Sequence, residues 1–262
     1  MNTDQKALQE LLFQLADDDF ILAYRGSEWL GLAPHIEEDV AFSSMSQDTM
    51  GHAVMFYEML EELGAGTADD LAQLRKPQDF RNAVLVERPN GTGHYMEQPN
   101  YDWAYAVART YLYELFKWVR LEALMSSSYQ PLVQISRKMM TELRYHLMHW
   151  QTWTKHLAGG GQESRDRLQA AIAQVCQDIE GLFSFGPHAD AIVAAGLIAD
   201  ASTLKARWLE KASDALAKNG LALPDAFPAP SHDGRAGEHT EQLADVLNTL
   251  SEVYRLDPAA AW

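Results

Sequence analysis

Apolar residues recur every three or four positions along nearly the whole chain, the spacing that keeps one face of a helix hydrophobic. The pattern predicts a first helix from about Asp4 to Arg25. A second opens at Pro34, a residue suited to the first helical turn, and runs to about Leu63, where Gly64-Ala65-Gly66 stops it. A short helix is expected over residues 68–76, then an extended stretch or turn over Arg81–Glu87, closed by Pro89-Asn90-Gly91. The connection from about Lys76 to Asn100 is the largest gap in the helical pattern, and the natural place for a long crossover between the halves of a bundle. A third helix is expected from Asp102 to Met125, then a tight turn over Ser126–Gln130. Pro131 opens a fourth helix, which ends at Gly159-Gly160-Gly161. Further helices are expected at about 163–183, 188–196, 202–219 and 237–255, with a Pro- and Gly-rich loop over Leu223–Ala236. The expected fold is all-α: one domain over residues 1–262, with a four-helix core bundle at about 4–158, a long crossover, and additional C-terminal helices at about 163–255.

Alternate steps of four and three residues trace the packed face of each long helix. These stripes read Leu8, Leu12, Leu15, Asp19, Leu22; then Ala41, Met45, Asp48, His52, Met55, Met59; then Val107, Tyr111, Glu114, Trp118, Leu121, Met125; and Ile135, Met139, Glu142, His146, His149, Trp153, Leu157. Each is apolar except near its middle, so six polar groups are expected to converge in one layer. A buried charge costs several kcal/mol unless it is paired or bound to metal. Two readings account for the layer. One is a two-metal centre, because iron and manganese accept carboxylate and imidazole together and di-iron bundles draw such ligands from all four helices. The other is a hydrogen-bonded polar layer without metal.

The spacing bears on the choice. Di-iron bundles use Glu-x-x-His, with the carboxylate three residues before the histidine. Here Asp48 and Glu142 stand four residues before His52 and His146, and the positions three before are Thr49 and Leu143. A carboxylate one residue out of step is rotated by about 100° around the helix. The layer therefore reads as an altered, empty site with no catalytic residue and no metal ligand, made of Asp19, Asp48, Thr49, His52, Glu114, Glu142, Leu143 and His146.

Composition narrows the partners. A net charge of −16 argues against nucleic acid and anionic membranes. The one cysteine, Cys176, allows no internal disulfide, which fits a reducing cytoplasm, and its lack of an evident base makes it an inert thiol. The N-terminus reads polar and helical from Met1 onward rather than as a signal peptide, and the longest apolar run, Ala191–Ala199, is too short to span a bilayer. His149 and His156 lie on an aromatic face with Trp150 and Trp153 and are expected in packing or surface roles, while His188 is expected at a helix start.

Several stretches are distinctive together: Gly26-Ser27-Glu28-Trp29-Leu30-Gly31 leading to Ala33-Pro34, Asp48-Thr49-Met50-Gly51-His52-Ala53, Leu85-Val86-Glu87-Arg88-Pro89-Asn90-Gly91, Glu142-Leu143-Arg144-Tyr145-His146, and Gly237-Glu238-His239-Thr240-Glu241-Gln242-Leu243, with Trp262 at the end. In these the chain resembles the structural, PaaC-type subunits of bacterial phenylacetyl-CoA epoxidases, and the resemblance spans nearly the whole chain. It implies a ferritin-like fold. It implies that Asp19, Glu114, His52 and His146 stand where a related catalytic subunit has metal ligands, and that Thr49 and Leu143 stand where that subunit has two glutamates. It implies a non-catalytic scaffold in a di-iron monooxygenase that epoxidises the aromatic ring of phenylacetyl-CoA. The iron would lie in the homologous catalytic partner, FAD and iron–sulfur in a reductase, and other epoxidase subunits would complete the assembly; a homo-oligomer in their absence is allowed. The alternative is a di-iron oxygenase or oxidase in its own right, using the shifted Asp48/His52 and Glu142/His146 pairs.

Overall fold

Three consecutive aspartates, Asp17, Asp18 and Asp19, sit inside the first helix, and all three are fully buried. Neighbouring residues on a helix point about 100° apart, so three in a row can be buried only if protein surrounds most of the helix. This is the plan of the first half of the chain. In the computed structural model, which describes residues 3–94 and 96–260, α1 spans Thr3–Ser27 and is enclosed over most of its circumference. Met1 and Trp262 lie outside the described residues. Helix α2 (Ile36–Glu62) packs along α1 and is amphipathic, burying Phe42, Met45, Thr49, His52, Phe56 and Met59. The two approach closely at Gly26, where an added Cβ would lie 2.2 Å from Ser46 Oγ.

Pro34 lies ahead of α2 rather than in its first turn, because the extended residue His35 is the N-cap. Helix α3 (Ala68–Gln73) is capped by Thr67, whose side chain accepts from the Asp70 amide at 3.2 Å. The stretch Arg81–Glu87, expected as extended chain or a turn, contains a one-turn helix, α4 (Val84–Glu87), too short for periodicity to reveal. The rest of the crossover carries a minimal antiparallel pair, β1 (Gly91–Thr92) and β2 (Asn100–Tyr101).

The second half repeats the plan. Helix α5 (Trp103–Leu124), capped by Asp102 Oδ1 on the Ala104 amide at 2.9 Å, is buried nearly all round. Helix α6 (Gln130–Gly159) is amphipathic and packs against it. Helix α7 (Gln162–Val175) is shorter than expected: the chain turns after Cys176, and Ile179–Leu182 form a 3-10 turn. Helices α8 (Ala189–Ala194) and α9 (Ala201–Ala217) follow as expected. The helix expected over 237–255 starts late and splits into α10 (Glu241–Leu250) and α11 (Glu252–Leu256). Gly237 has φ +83°, which no helix accommodates, and His239 and Thr240 are engaged elsewhere.

The chain divides into two compact units: Met1–Pro89 with Phe185–Ile192 and His232–Trp262, and Asn90–Ser184 with Val193–Ser231. The first is built on α1 and α2, the second on α5, α6, α7 and α9. The fold is all-α and of the ferritin-like kind, with two pairs of long helices, a long crossover and further helices at the C-terminal side. No helix among the described residues is long and apolar enough to cross a membrane.

Candidate functional site

In the first unit, Asp19 lies on the enclosed α1 and is fully buried, as its place in the stripe predicted. On α2 the phase differs from the expected one. His52 is fully buried and Thr49 is buried beside it, but Asp48 is exposed. The inward face runs Met45, Thr49, His52, Phe56, Met59, so the residue paired with the histidine is three positions before it, not four. Thr49 does not offer its hydroxyl proton outward: Oγ1 donates to the Met45 carbonyl of its own helix at 2.8 Å.

The second unit shows the same correction. Leu143 and His146 are buried on α6, whereas Glu142 is half-buried at the edge of the face. His146 Nδ1 lies 3.2 Å from Glu114 Oε1 of α5, with both side chains almost sealed from water. That contact supplies the pairing a buried carboxylate needs. In the second unit a carboxylate of the neighbouring helix, Glu114, thus stands against His146. Asp48 and Glu142 are turned off the inward faces by the rotation that one residue makes around a helix.

The donors do not fit a di-iron centre. The two inward positions preceding the histidines hold a self-bonded hydroxyl and a fully buried leucine. Among the described residues no group of three or more His, Cys, Asp or Glu side chains is arranged to hold a metal ion.

Sequence reasoning missed a second polar constellation, all of it in the first unit. Asp18 accepts from Nη1 and Nη2 of Arg235, each at 2.8 Å, and from the Ala83 amide at 2.8 Å. Asp17 accepts from the Tyr57 hydroxyl at 2.6 Å, from Arg75 Nη1 at 3.0 Å and from the Arg81 amide at 2.7 Å. Arg75 lies over the Phe80 ring at 4.0 Å. Burial, reinforced by the charge of Asp17, pushes the Tyr57 phenol well above its usual range. Glu87 is fully buried on α4 and accepts from the Thr240 amide at 2.8 Å, the Thr240 hydroxyl at 2.7 Å and Asn82 Nδ2 at 3.0 Å. His239 Nδ1 lies 2.8 Å from the same carboxylate, and its Nε2 lies 3.1 Å from the Phe80 carbonyl. Burial alone would raise the Glu87 carboxyl, but its bonds to His239 and Thr240 outweigh that and leave it lowered. The Glu87 carbonyl in turn accepts from Arg25 Nε and Nη2 at 3.1 and 2.7 Å, and Arg25 pairs with Glu28 at 2.9 Å. These bonds tie the C-terminal segment to the rest of the first unit and are structural in character: each acid is met by a donor. The run of three aspartates within one helix was the signal that could have revealed part of this network.

His149 and His156 set their ring edges against Trp150 and Trp153, at 4.9 and 5.9 Å. Cys176 is buried, and burial pushes its thiol up to about 12.

Comparison with known proteins gives this geometry its setting. The family model described as phenylacetic acid catabolic protein matches residues 1–262. The chain belongs to that family. It is also similar to one of the subunits of the 1,2-phenylacetyl-CoA epoxidase of Escherichia coli (strain K12), with 31% identity over 250 residues, covering 95% of this chain and 96% of that one. The resemblance carried by the Gly26–Pro34, Leu85–Gly91 and Gly237–Leu243 stretches now has a physical basis. They contain Gly26, where α1 meets α2, and Glu87 with its partners His239 and Thr240.

Proposed function

We propose that this chain is the non-catalytic structural subunit of a multicomponent di-iron monooxygenase that epoxidises the aromatic ring of phenylacetyl-CoA. On this reading it pairs with a homologous catalytic subunit and stabilises it. The observation that carries the proposal is the inward pairing of Thr49 with His52 and of Leu143 with His146. The helical spacing of a Glu-x-x-His pair is retained on both helices while both carboxylates are missing. The near full-length similarity to an epoxidase subunit supports the same reading and favours one module over residues 1–262. The chain itself would carry no metal or other cofactor. Iron would reside in the catalytic partner, FAD and iron–sulfur in the reductase, and the assembly would work in the cytoplasm. The other reading, a di-iron enzyme using Asp48 and Glu142, requires two acids that do not share the buried faces of their histidines.

Two measurements test this. Protein produced with excess iron and purified alone is expected to hold no stoichiometric iron; about two irons per chain would overturn the proposal. Co-expression with the catalytic subunit and reductase is expected to give a stable complex that turns over phenylacetyl-CoA. An interface of the obligate kind, commonly about 2,000 Å² or more, is expected in it. Turnover by this chain and the reductase without the catalytic subunit would favour the enzyme reading.

A further inference from the structure

In the second unit, where α6 and α9 both pack on α5, a cleft of about 300 Å³ opens to the surface. Its floor is apolar, made by Leu115, Trp118, Leu147 and Met148. The Trp118 indole N–H donates to Glu122 Oε1 at 2.7 Å, which holds the plane of the ring. An apolar floor with a few polar groups converging on it is the usual make-up of a small-molecule site, and this volume lies at the small end of the range for such sites.

The polar groups there are donors in want of an acceptor. Tyr111 of α5 lines the cleft and is only 4% exposed, yet among the described residues its hydroxyl has no hydrogen-bond partner. Leaving such a group unpaired costs free energy, which a ligand oxygen would relieve. Burial, with the charge of Asp214 added, pushes the Tyr111 phenol up to about 12, so it keeps its proton at neutral pH and can donate. Arg144 of α6 and Lys211 of α9 also line the cleft. Among the described residues neither meets a carboxylate, and Lys211 Nζ instead lies 5.5 Å from the centre of the Trp118 ring. Two such cations at one cleft stand out in a chain with 37 acids and 21 lysines and arginines. The other two charges at the cleft, Asp214 and Lys218, satisfy one another at 2.6 Å.

From these donors around an apolar floor we infer that the cleft binds a small aromatic carboxylate. The ring of the ligand lies against Trp118 and Leu115, and its carboxylate is held by Arg144 and Lys211, with the Tyr111 hydroxyl as a further donor. A planar guanidinium matches a planar carboxylate with two parallel bonds. A doubly charged phosphate would feel twice the repulsion from Asp214 nearby, so the single charge is favoured. An aromatic body is favoured over a flexible acyl chain because a rigid ring loses less freedom on binding and stacks against the indole. The inference does not depend on the epoxidase reading, and its test needs only this chain.

The test is calorimetric titration of the purified full chain with naphthoate, whose two fused rings suit the volume of the cleft. Wild type is expected to bind one equivalent with a dissociation constant below about 1 mM. Naphthalenemethanol, which lacks the charge, decanoate, which lacks the ring, and naphthyl phosphate are each expected to bind more weakly. Arg144→Gln with Lys211→Gln is expected to weaken naphthoate at least about tenfold, and Tyr111→Phe about fivefold. Arg137→Gln, exposed on the same helix but outside the cleft, is expected to leave binding unchanged. Melting curves check that the variants are folded, and Tyr111→Phe, which removes a single oxygen, stands as an independent probe beside the double variant. Absence of saturable binding would overturn the inference. So would equal or tighter binding of any of the three comparison compounds, full affinity in the cleft variants, or an equal loss in Arg137→Gln.

Discussion

Arg235 reaches Asp18 from more than two hundred residues along the chain and holds both carboxylate oxygens at 2.8 Å, with the two side chains sealed from solvent. The pair fastens the segment before α10 to the middle of α1. Breaking a buried pair from one side leaves an uncompensated charge, which costs about 3–5 kcal/mol. Arg235→Ala is therefore expected to lower stability by that order, and amide exchange in α10 is expected to quicken more than exchange in α5. Equal protection of both helices in the variant would show that Arg235 does not anchor this segment.

Glu87 sets an acid limit on stability. Its carboxyl is lowered from the ordinary 4.5 in the folded chain. A group lowered on folding adds stability that is fully present above its unfolded pKa and is lost as pH falls through the folded value. The thermal midpoint of wild type is expected to fall as the pH drops below the ordinary carboxyl range, and Glu87→Gln is expected to flatten part of that slope while lowering the midpoint at neutral pH. Parallel curves for the two proteins would remove Glu87 from the account.

The acids that turn away from the predicted layer are expected to be dispensable for stability. Asp48 is exposed, and Asp48→Ala is expected to change stability by no more than about 0.5 kcal/mol. His146→Ala strands the buried Glu114 carboxylate and is expected to cost about 1–3 kcal/mol, or more if the acid stays charged. Urea unfolding of the two variants beside wild type decides the matter, and similar losses for both would return Asp48 to the interior.

Cys176 is expected to be silent towards thiol reagents in the folded chain, since it is buried and its thiol is raised to about 12. Titration with a disulfide reagent at neutral pH is expected to release one equivalent only after denaturation. Rapid reaction in the native state would mean that the turn after α7 opens easily.

The four long helices and the crossover between their pairs were legible because each helix runs over many turns. Apolar spacing averages over local exceptions at that length, and Gly64 and Gly159–Gly161 punctuate the ends. Asp19, His52, Glu114 and His146 were correctly expected inside, since each interrupts an apolar stripe. The sequence alone thereby determined the helical class, the burial of these four residues and the absence of a carboxylate at Thr49 and Leu143. It could not decide whether residue 48 or 49, or 142 or 143, faced inward. A four-three step and a true helical turn differ by a fraction of a residue, and only packing against a neighbour sets the phase. Nor could it pair Asp18 with Arg235 or Glu87 with His239. Those partners are more than a hundred and fifty residues apart, and no local periodicity relates them. What brings them together is burial, of Asp18 on α1 and of Glu87 on α4, which obliges each enclosed carboxylate to find a donor wherever the folded chain supplies one.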